Sequence, residues 1–211
     1  MKIKIGTRGS KLALWQANYV SKQLNNGGLE TEIITIDTKG DKILDVSISK
    51  IGSKGVFTEE IEEQLKLGVI DIAVHSAKDM QSVLPNGFEL IAFTEREEVN
   101  DVILSHKKNI SLHDKLVLGT SSTRRVAFLK KLYPHITTVP VRGNLQTRIQ
   151  KMKNGDCDAL MLAYAGAHRM NFDDMIVQKL HFDEFTPAVG QGSVAIECCS
   201  VLESTKKDHI R

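Results

Sequence analysis

Twice along this chain a short apolar run is followed by an amphipathic helical pattern and then by another apolar run, and this rhythm leaves few folds open. In the first half IKIGT (3–7) precedes a helical pattern over about residues 11–24, and TEIITI (31–36) follows. A glycine-rich stretch, a helical pattern near residues 59–67 and the run DIAVHS (71–76) complete it. The second half repeats the order: KLVLG (115–119), a helix over residues 124–132, ITTVPV (136–141), a helix over about residues 145–152, and DALMLA (158–163). Short strands alternating with helices read as βαβ units, with a mainly parallel sheet covered on both faces. The expectation is therefore two doubly wound α/β domains in series.

The polar stretch FTEREEVND (93–101) breaks the apolar pattern and predicts a crossing between the domains. TPAVGQGS (186–193), which carries Pro and Gly, predicts a second, and the short apolar run VAIECC comes after it. If that run rejoins the first sheet, domain 1 comprises residues 1–94 plus 193–211 and domain 2 residues 98–187. The crossings then fall near 95–97 and 188–192, with a binding cleft expected between the domains.

A chain of 211 residues, 41% hydrophobic and 26% charged, can bury a core in each domain and contains no apolar run of membrane-spanning length. The opening MKIKIGTRGS lacks the apolar core of a secretory leader, and Cys157, Cys198 and Cys199 have no CxxC spacing. Both features predict a cytoplasmic location, and no metal site is expected. Net charge is only +2, yet residues 115–155 contain no Asp or Glu and nine Lys or Arg. Such a local positive field calls for an anion. Nucleic acid is disfavoured as that anion, because aromatic residues form 5% of the chain and none interleaves the arginines as a stacking platform.

In open α/β sheets ligands sit at the carboxyl ends of the strands, where helix N-termini present free amides. Those positions are rich here. GTRGSKLALWQ offers Ser10 as an N-cap with Arg8 over the helix start, and GTSSTRR offers Ser121 and Ser122 as caps with Arg124 and Arg125 opening the helix. RGNLQTR places Arg142 before a helix and Arg148 within it. Cations in a first helical turn oppose the macrodipole, and a bound anion reverses that sign. Planar guanidinium forks suit carboxylate or phosphate. KIGSKGVF adds Lys50 and Lys54 on a glycine frame, but without the spacing of a nucleotide P-loop. Asp79, just after DIAVHS, should lie at the same strand edge, either as a turn cap or as a carboxylate that stabilises a developing cation. His75 reads as a packed strand-end residue.

GTRGSKLALWQ, GSKGVFTEE, DIAVHSAKDM, GTSSTRR, RGNLQTR and PAVGQG, in this order and spread over essentially the whole chain, closely resemble the porphobilinogen deaminase (hydroxymethylbilane synthase) family. The resemblance implies a monomeric transferase of tetrapyrrole (heme) biosynthesis with two periplasmic-binding-protein-like (type II) domains and a third α+β domain. It implies head-to-tail condensation of four porphobilinogens with loss of ammonia, giving hydroxymethylbilane. It also implies a dipyrromethane cofactor tethered to a cysteine, with porphobilinogen and the growing polypyrrole as partners. Carried onto matching positions, it makes Asp79 catalytic. Arg8, Ser10, Lys78, Ser122, Arg124, Arg125, Arg142 and Arg148 become ligands for acetate and propionate groups. Lys50 and Lys54 belong to a mobile loop, and Gln16 and Arg169 match further substrate-site positions.

The family's cofactor cysteine lies in its third domain. The expectation from this sequence is that the third domain and the attachment cysteine are absent, and that the cofactor-bearing part lies outside the chain. Gln81 stands where the family often carries proline. The alternative reading is a non-catalytic module that binds an oxyanion or polycarboxylate; it gives the Arg-rich helix starts a role and Asp79 none.

Overall fold

The computed structural model describes residues 1–42 and 57–210. In chain order the first half runs β1 (Lys2–Arg8), α1 (Lys11–Asn26), β2 (Glu30–Ile36), α2 (Lys39–Lys42), α3 (Glu59–Lys66), β3 (Ile72–Ser76) and β4 (Phe88–Phe93). It continues with β5 (Asp101–Leu104), β6 (Val117–Gly119), α4 (Thr123–Leu132), β7 (Thr137–Val139), α5 (Leu145–Lys153), β8 (Ala159–Ala163) and α6 (Tyr164–Arg169). Last come β9 (Ile176–Lys179), β10 (Val194–Cys199) and α7 (Ser204–Ile210). Two compact units result: unit 1 is Met1–Arg96 with Ser193–Arg211, and unit 2 is Glu97–Gly192.

Each unit is built on a five-stranded sheet of the same plan, β2-β1-β3-β10-β4 in unit 1 and β7-β6-β8-β5-β9 in unit 2. In unit 1 β2, β1 and β3 are parallel and β10 enters antiparallel between β3 and β4. In unit 2 β7, β6 and β8 are parallel and β5 enters antiparallel between β8 and β9. Each antiparallel strand is thus the first one after the chain passes from one unit to the other. Going out from β1 to β2 and back to β3 reverses the strand order beside β1, and the same reversal occurs beside β6. Both sheets therefore contain a switch point, where neighbouring strand ends splay and leave room for a ligand.

The helices form where apolar residues fall at helical spacing. α1 buries Ala13, Gln16, Ala17, Val20 and Leu24, at intervals of three and four. This stripe packs with Ile3, Ile5, Ile72, Val74, Val194 and Ile196 on one face of the first sheet. The other face is covered by Ile61 and Leu65 of α3 with Ile70, Ala73 and Phe88. In unit 2 every residue of β8 is buried, Leu160 and Leu162 towards one core and Ala159 and Met161 towards the other. A strand covered on both faces reads as a continuous apolar run, which is why DALMLA was legible. Each such large side chain contributes about 1.5–3 kcal/mol on burial.

Sequence periodicity did not reveal β4, β9 or α6, and it read the start of β5 as part of a linker. β4 and β9 are edge strands of intermediate burial without a clean alternation, and the short apolar run LIAF of β4 passes directly into the polar stretch 93–101. Among the described residues no helix is long and apolar enough to cross a membrane.

Candidate functional site

In unit 1 the switch point lies between β1 and β3, paired at Ile5 with Ile72 and at Gly6 with Ala73. Beyond β1, Ser10 caps α1, its Oγ accepting from the Ala13 amide at 3.3 Å. Thr7, fully buried, turns its hydroxyl to the Ala13 carbonyl at 3.3 Å and so fixes the strand-to-helix corner. Arg8 lies half-buried at this corner, its guanidinium carbon 4.1 Å from the centroid of the Phe57 ring. That ring packs on bare backbone: a Cβ added at Gly40 would lie 2.2 Å from Phe57 Cε1.

Beyond β3 the chain makes a single 3-10 turn, Ala77–Asp79, which carries Lys78 and Asp79 out to solvent. The turn is pinned by the Ala77 amide, which donates to the Ser193 carbonyl at 3.0 Å. Gln16, only 3% exposed, donates from Nε2 to Ser76 Oγ at 2.9 Å. It lies beneath the edge, where it braces the strand end that delivers Asp79. His75 is buried with Nε2 3.1 Å from Glu197 Oε2, pointing into the sheet rather than to the edge.

In unit 2 the equivalent corner follows β6. Ser122 caps α4 by accepting from the Arg125 amide at 3.4 Å. Arg124 and Arg125 follow at once, and both guanidiniums turn to Asp101, with Nη2 of each 2.8 Å from a carboxylate oxygen. Asp101 is wholly buried at the start of β5 and also accepts from Gln191 Nε2 at 3.0 Å. Burial by itself would raise its pKa. The Arg125 guanidinium outweighs that, with help from the Gln191 amide and Arg124, and holds the carboxyl below its ordinary range. Arg125 further donates to the Met161 carbonyl at 3.0 Å, and Arg124 to the Thr186 carbonyl at 2.7 Å.

After β7, Arg142 is half-buried, and Asn144 caps α5 by accepting from the Thr147 amide at 2.9 Å. Arg148, on α5, donates from Nε to the Gly143 carbonyl at 2.8 Å. After β8, Arg169 closes α6 and donates to the Gly192 carbonyl at 2.6 Å. Ser122, Arg124, Arg125, Arg142, Arg148 and Arg169 thus all follow the carboxyl ends of the parallel strands of unit 2. Arg8, Ser10, Lys78 and Asp79 do the same in unit 1. Lys50 and Lys54 lie outside the described residues.

Asp101, Gln191 and Phe57 escaped sequence reasoning. Asp101 sat inside an acidic linker, one carboxylate among several; its one distinguishing sign is that it immediately precedes the apolar VIL of a buried strand.

Two sheets of this strand order, with arginine-bearing helix starts at both switch points, define a two-unit α/β protein of the type II periplasmic-binding-protein class, furnished for anions. Solved structures agree on the fold. A methionine-binding protein superposes with TM-score 0.58 at 14% identity, covering 99% of this chain and 89% of that one. The periplasmic VFT2 domain of Bordetella pertussis BvgS gives 0.55 at 16%, covering 99% and 84%. Sequence comparison narrows the class. The family model "Porphobilinogen deaminase, dipyromethane cofactor binding domain" matches residues 3–207. The porphobilinogen deaminase of Desulfosudis oleivorans is 58% identical over 100% of this chain and 69% of its own length. That of Cytophaga hutchinsonii is 60% identical over 99% and 68%. The chain belongs to the porphobilinogen deaminase family, a family of transferases in tetrapyrrole biosynthesis, and spans about two thirds of the length of these relatives.

Two expectations are corrected. The cofactor-bearing part was expected to lie outside this chain, but the model covering residues 3–207 is that of the cofactor-binding domain, which is therefore present. The expectation weighed the tether alone, whereas a polycarboxylate is bound by the groups that meet its charges. The cytoplasmic location does not stand either, because the structures that share this fold include periplasmic proteins. At such low identity they speak for the fold and assign this chain no compartment.

Proposed function

We infer that this chain provides the substrate- and cofactor-binding units of a porphobilinogen deaminase, which joins porphobilinogens head to tail. The observation that carries this reading is the exposed carboxylate of Asp79 at the strand edge of unit 1 that also carries half-buried Arg8, in a chain of this family. Each pyrrole unit brings two carboxylates, which accounts for a surplus of guanidiniums. In each condensation the aminomethyl C–N bond of one porphobilinogen breaks and ammonia leaves. A C–C bond forms to the free α carbon of the next pyrrole, which then loses its proton. Positive charge develops on the pyrrole nitrogens during both events, and Asp79 is the carboxylate assigned to stabilise it and to hold the mobile proton.

The donor set fits a dipyrromethane. Ser10 and Ser122 accept helix amides through their oxygen lone pairs, which leaves each hydroxyl proton for a ligand carboxylate. Arg8, Lys78, Arg124, Arg142, Arg148 and Arg169 are assigned to acetate and propionate groups, with Lys50 and Lys54 as further cations and Arg125 buried behind Arg124 against Asp101. Gln16 acts on the turn that carries Asp79. A bound dipyrromethane would supply the terminal pyrrole from which extension starts, and the cations named here would orient it.

The test is porphobilinogen binding and consumption by the full chain and its Asp79→Asn variant. Asp79→Asn should lower turnover by roughly 100-fold or more while binding changes less than about threefold. Equal turnover in the two proteins would remove Asp79 from the chemistry. Binding without consumption by the wild-type chain would instead favour a non-catalytic polycarboxylate-binding role.

A further inference from the structure

The start of α4 sets guanidiniums on two consecutive residues, and the side chain of Arg125 is only 7% exposed. A buried guanidinium without a counter-charge is strongly destabilising, so a fold that keeps one must supply an anion of its own. Asp101 is that anion, in ion-pair contact with both arginines. It cannot readily swing aside. Gln191 Nε2 donates to it and also to the Val99 carbonyl, at 3.0 and 2.6 Å, and so fixes the carboxylate against the backbone of its own strand entry.

One carboxylate against two guanidiniums leaves a single positive charge over, at a helix end whose free amides add to it. That excess is unequally shared. Arg125 is sealed between Asp101 and the Met161 carbonyl. The Arg124 side chain remains 24% exposed.

We propose that Asp101 is a positioning and specificity-determining residue of the anion edge of unit 2: it neutralises Arg125, holds Arg124 half open, and sets the excess charge to that of one carboxylate. The inference builds on the reading of this edge as carboxylate-binding. With Asp101 in place the α4 start matches a monoanionic carboxylate. Without the Asp101 charge, two uncompensated guanidiniums would draw a dianion such as sulfate.

The experiment compares thermal unfolding of the full chain in sodium acetate and in sodium sulfate at constant ionic strength. It uses the wild type, Asp101→Asn, Asp101→Glu, Arg124→Gln and the Asp101→Asn/Arg124→Gln double variant. The Arg124→Gln curves subtract the general stabilisation that sulfate gives any protein. Apparent affinities follow from the dependence of Tm on anion concentration. In Asp101→Asn the apparent sulfate affinity should rise about tenfold, while acetate affinity changes less than about threefold. Asp101→Glu, which keeps the charge, should behave as wild type towards sulfate. An unchanged sulfate affinity in Asp101→Asn, or a gain that survives in the Asp101→Asn/Arg124→Gln double variant, would overturn the proposal.

If Asp101→Asn does not fold, Arg124→Gln alone decides. It leaves Asp101 balanced one to one by Arg125, so the variant should fold with Tm within a few degrees of wild type and lose its acetate response. Retention of that response, or failure to fold, refutes the assignment. Absence of porphobilinogen binding by the wild type would undo the proposed function and leave this acetate and sulfate comparison intact.

Discussion

Asp101 and Glu62 are both buried carboxylates, and they are pushed in opposite directions. Asp101 faces two guanidiniums and is held ionised. Glu62, 7% exposed on α3, is raised above its ordinary value, first by burial and also by the nearby negative charge of Glu197. A carboxyl raised in the folded state stabilises the fold below its unfolded pKa, and that contribution is lost as pH rises through the folded value. Ionised Glu62 is therefore a cost at neutral pH. Glu62→Gln should raise stability by about 1 kcal/mol near pH 7, with the gain shrinking to nothing near pH 4. Denaturant unfolding at the two pH values checks it, and a loss at pH 7 would contradict it. Nothing in the sequence distinguishes these two acids. Each sits in a run of acidic residues, and only the fold decides which meets arginine and which meets another carboxylate.

At the scale of elements, the strand-to-helix corners were the most legible part of the site. Ser10, and Ser121 or Ser122, read as N-caps because a small hydroxyl residue precedes an amphipathic run, a purely local signal, and the structure selects Ser122 of the pair. Capping geometry follows at both. What local signals could not convey is how closely these corners are packed. Gly119 ends β6 immediately before the α4 corner. A Cβ there would lie 2.7–2.8 Å from Val141 Cγ2, Cys157 Sγ and Leu160 Cδ2, three side chains from three different segments. One flexible neighbour can yield, but three at once cannot. Gly119→Ala should thus cost about 1–3 kcal/mol through overpacking and shift the α4 start. Chemical denaturation measures the cost, and wild-type stability would show that the corner has slack.

For the whole molecule, stability should fall at both ends of the pH range for different reasons. On the acid side, the depressed Asp101 contributes stability above its unfolded value, lost as pH falls through the folded one. On the alkaline side, burial raises the Cys198 thiol from 9.0 to about 11. Its folded pKa lies above its unfolded one, so the contribution is complete below pH 9 and declines as pH rises towards 11. Cys198→Ala, although less stable at pH 7 for lack of the sulfur, should lose less stability than wild type between pH 9 and pH 11. The difference should reach about 2–3 kcal/mol at the upper end. Parallel slopes in the two proteins would show that Cys198 ionises as readily folded as unfolded. The sequence by itself determined the α/β class, the helices and strands with strong periodicity, the helix caps and the concentration of cations at strand ends. These are local or compositional properties, carried by residues a few positions apart. Only the tertiary structure decided that β5 and β10 enter their sheets antiparallel and that Gln16 and Arg125 are buried. It alone brought Asp101 to two arginines more than twenty residues away. Burial and counter-charge depend on which distant segments meet, and no local pattern in the chain encodes that meeting.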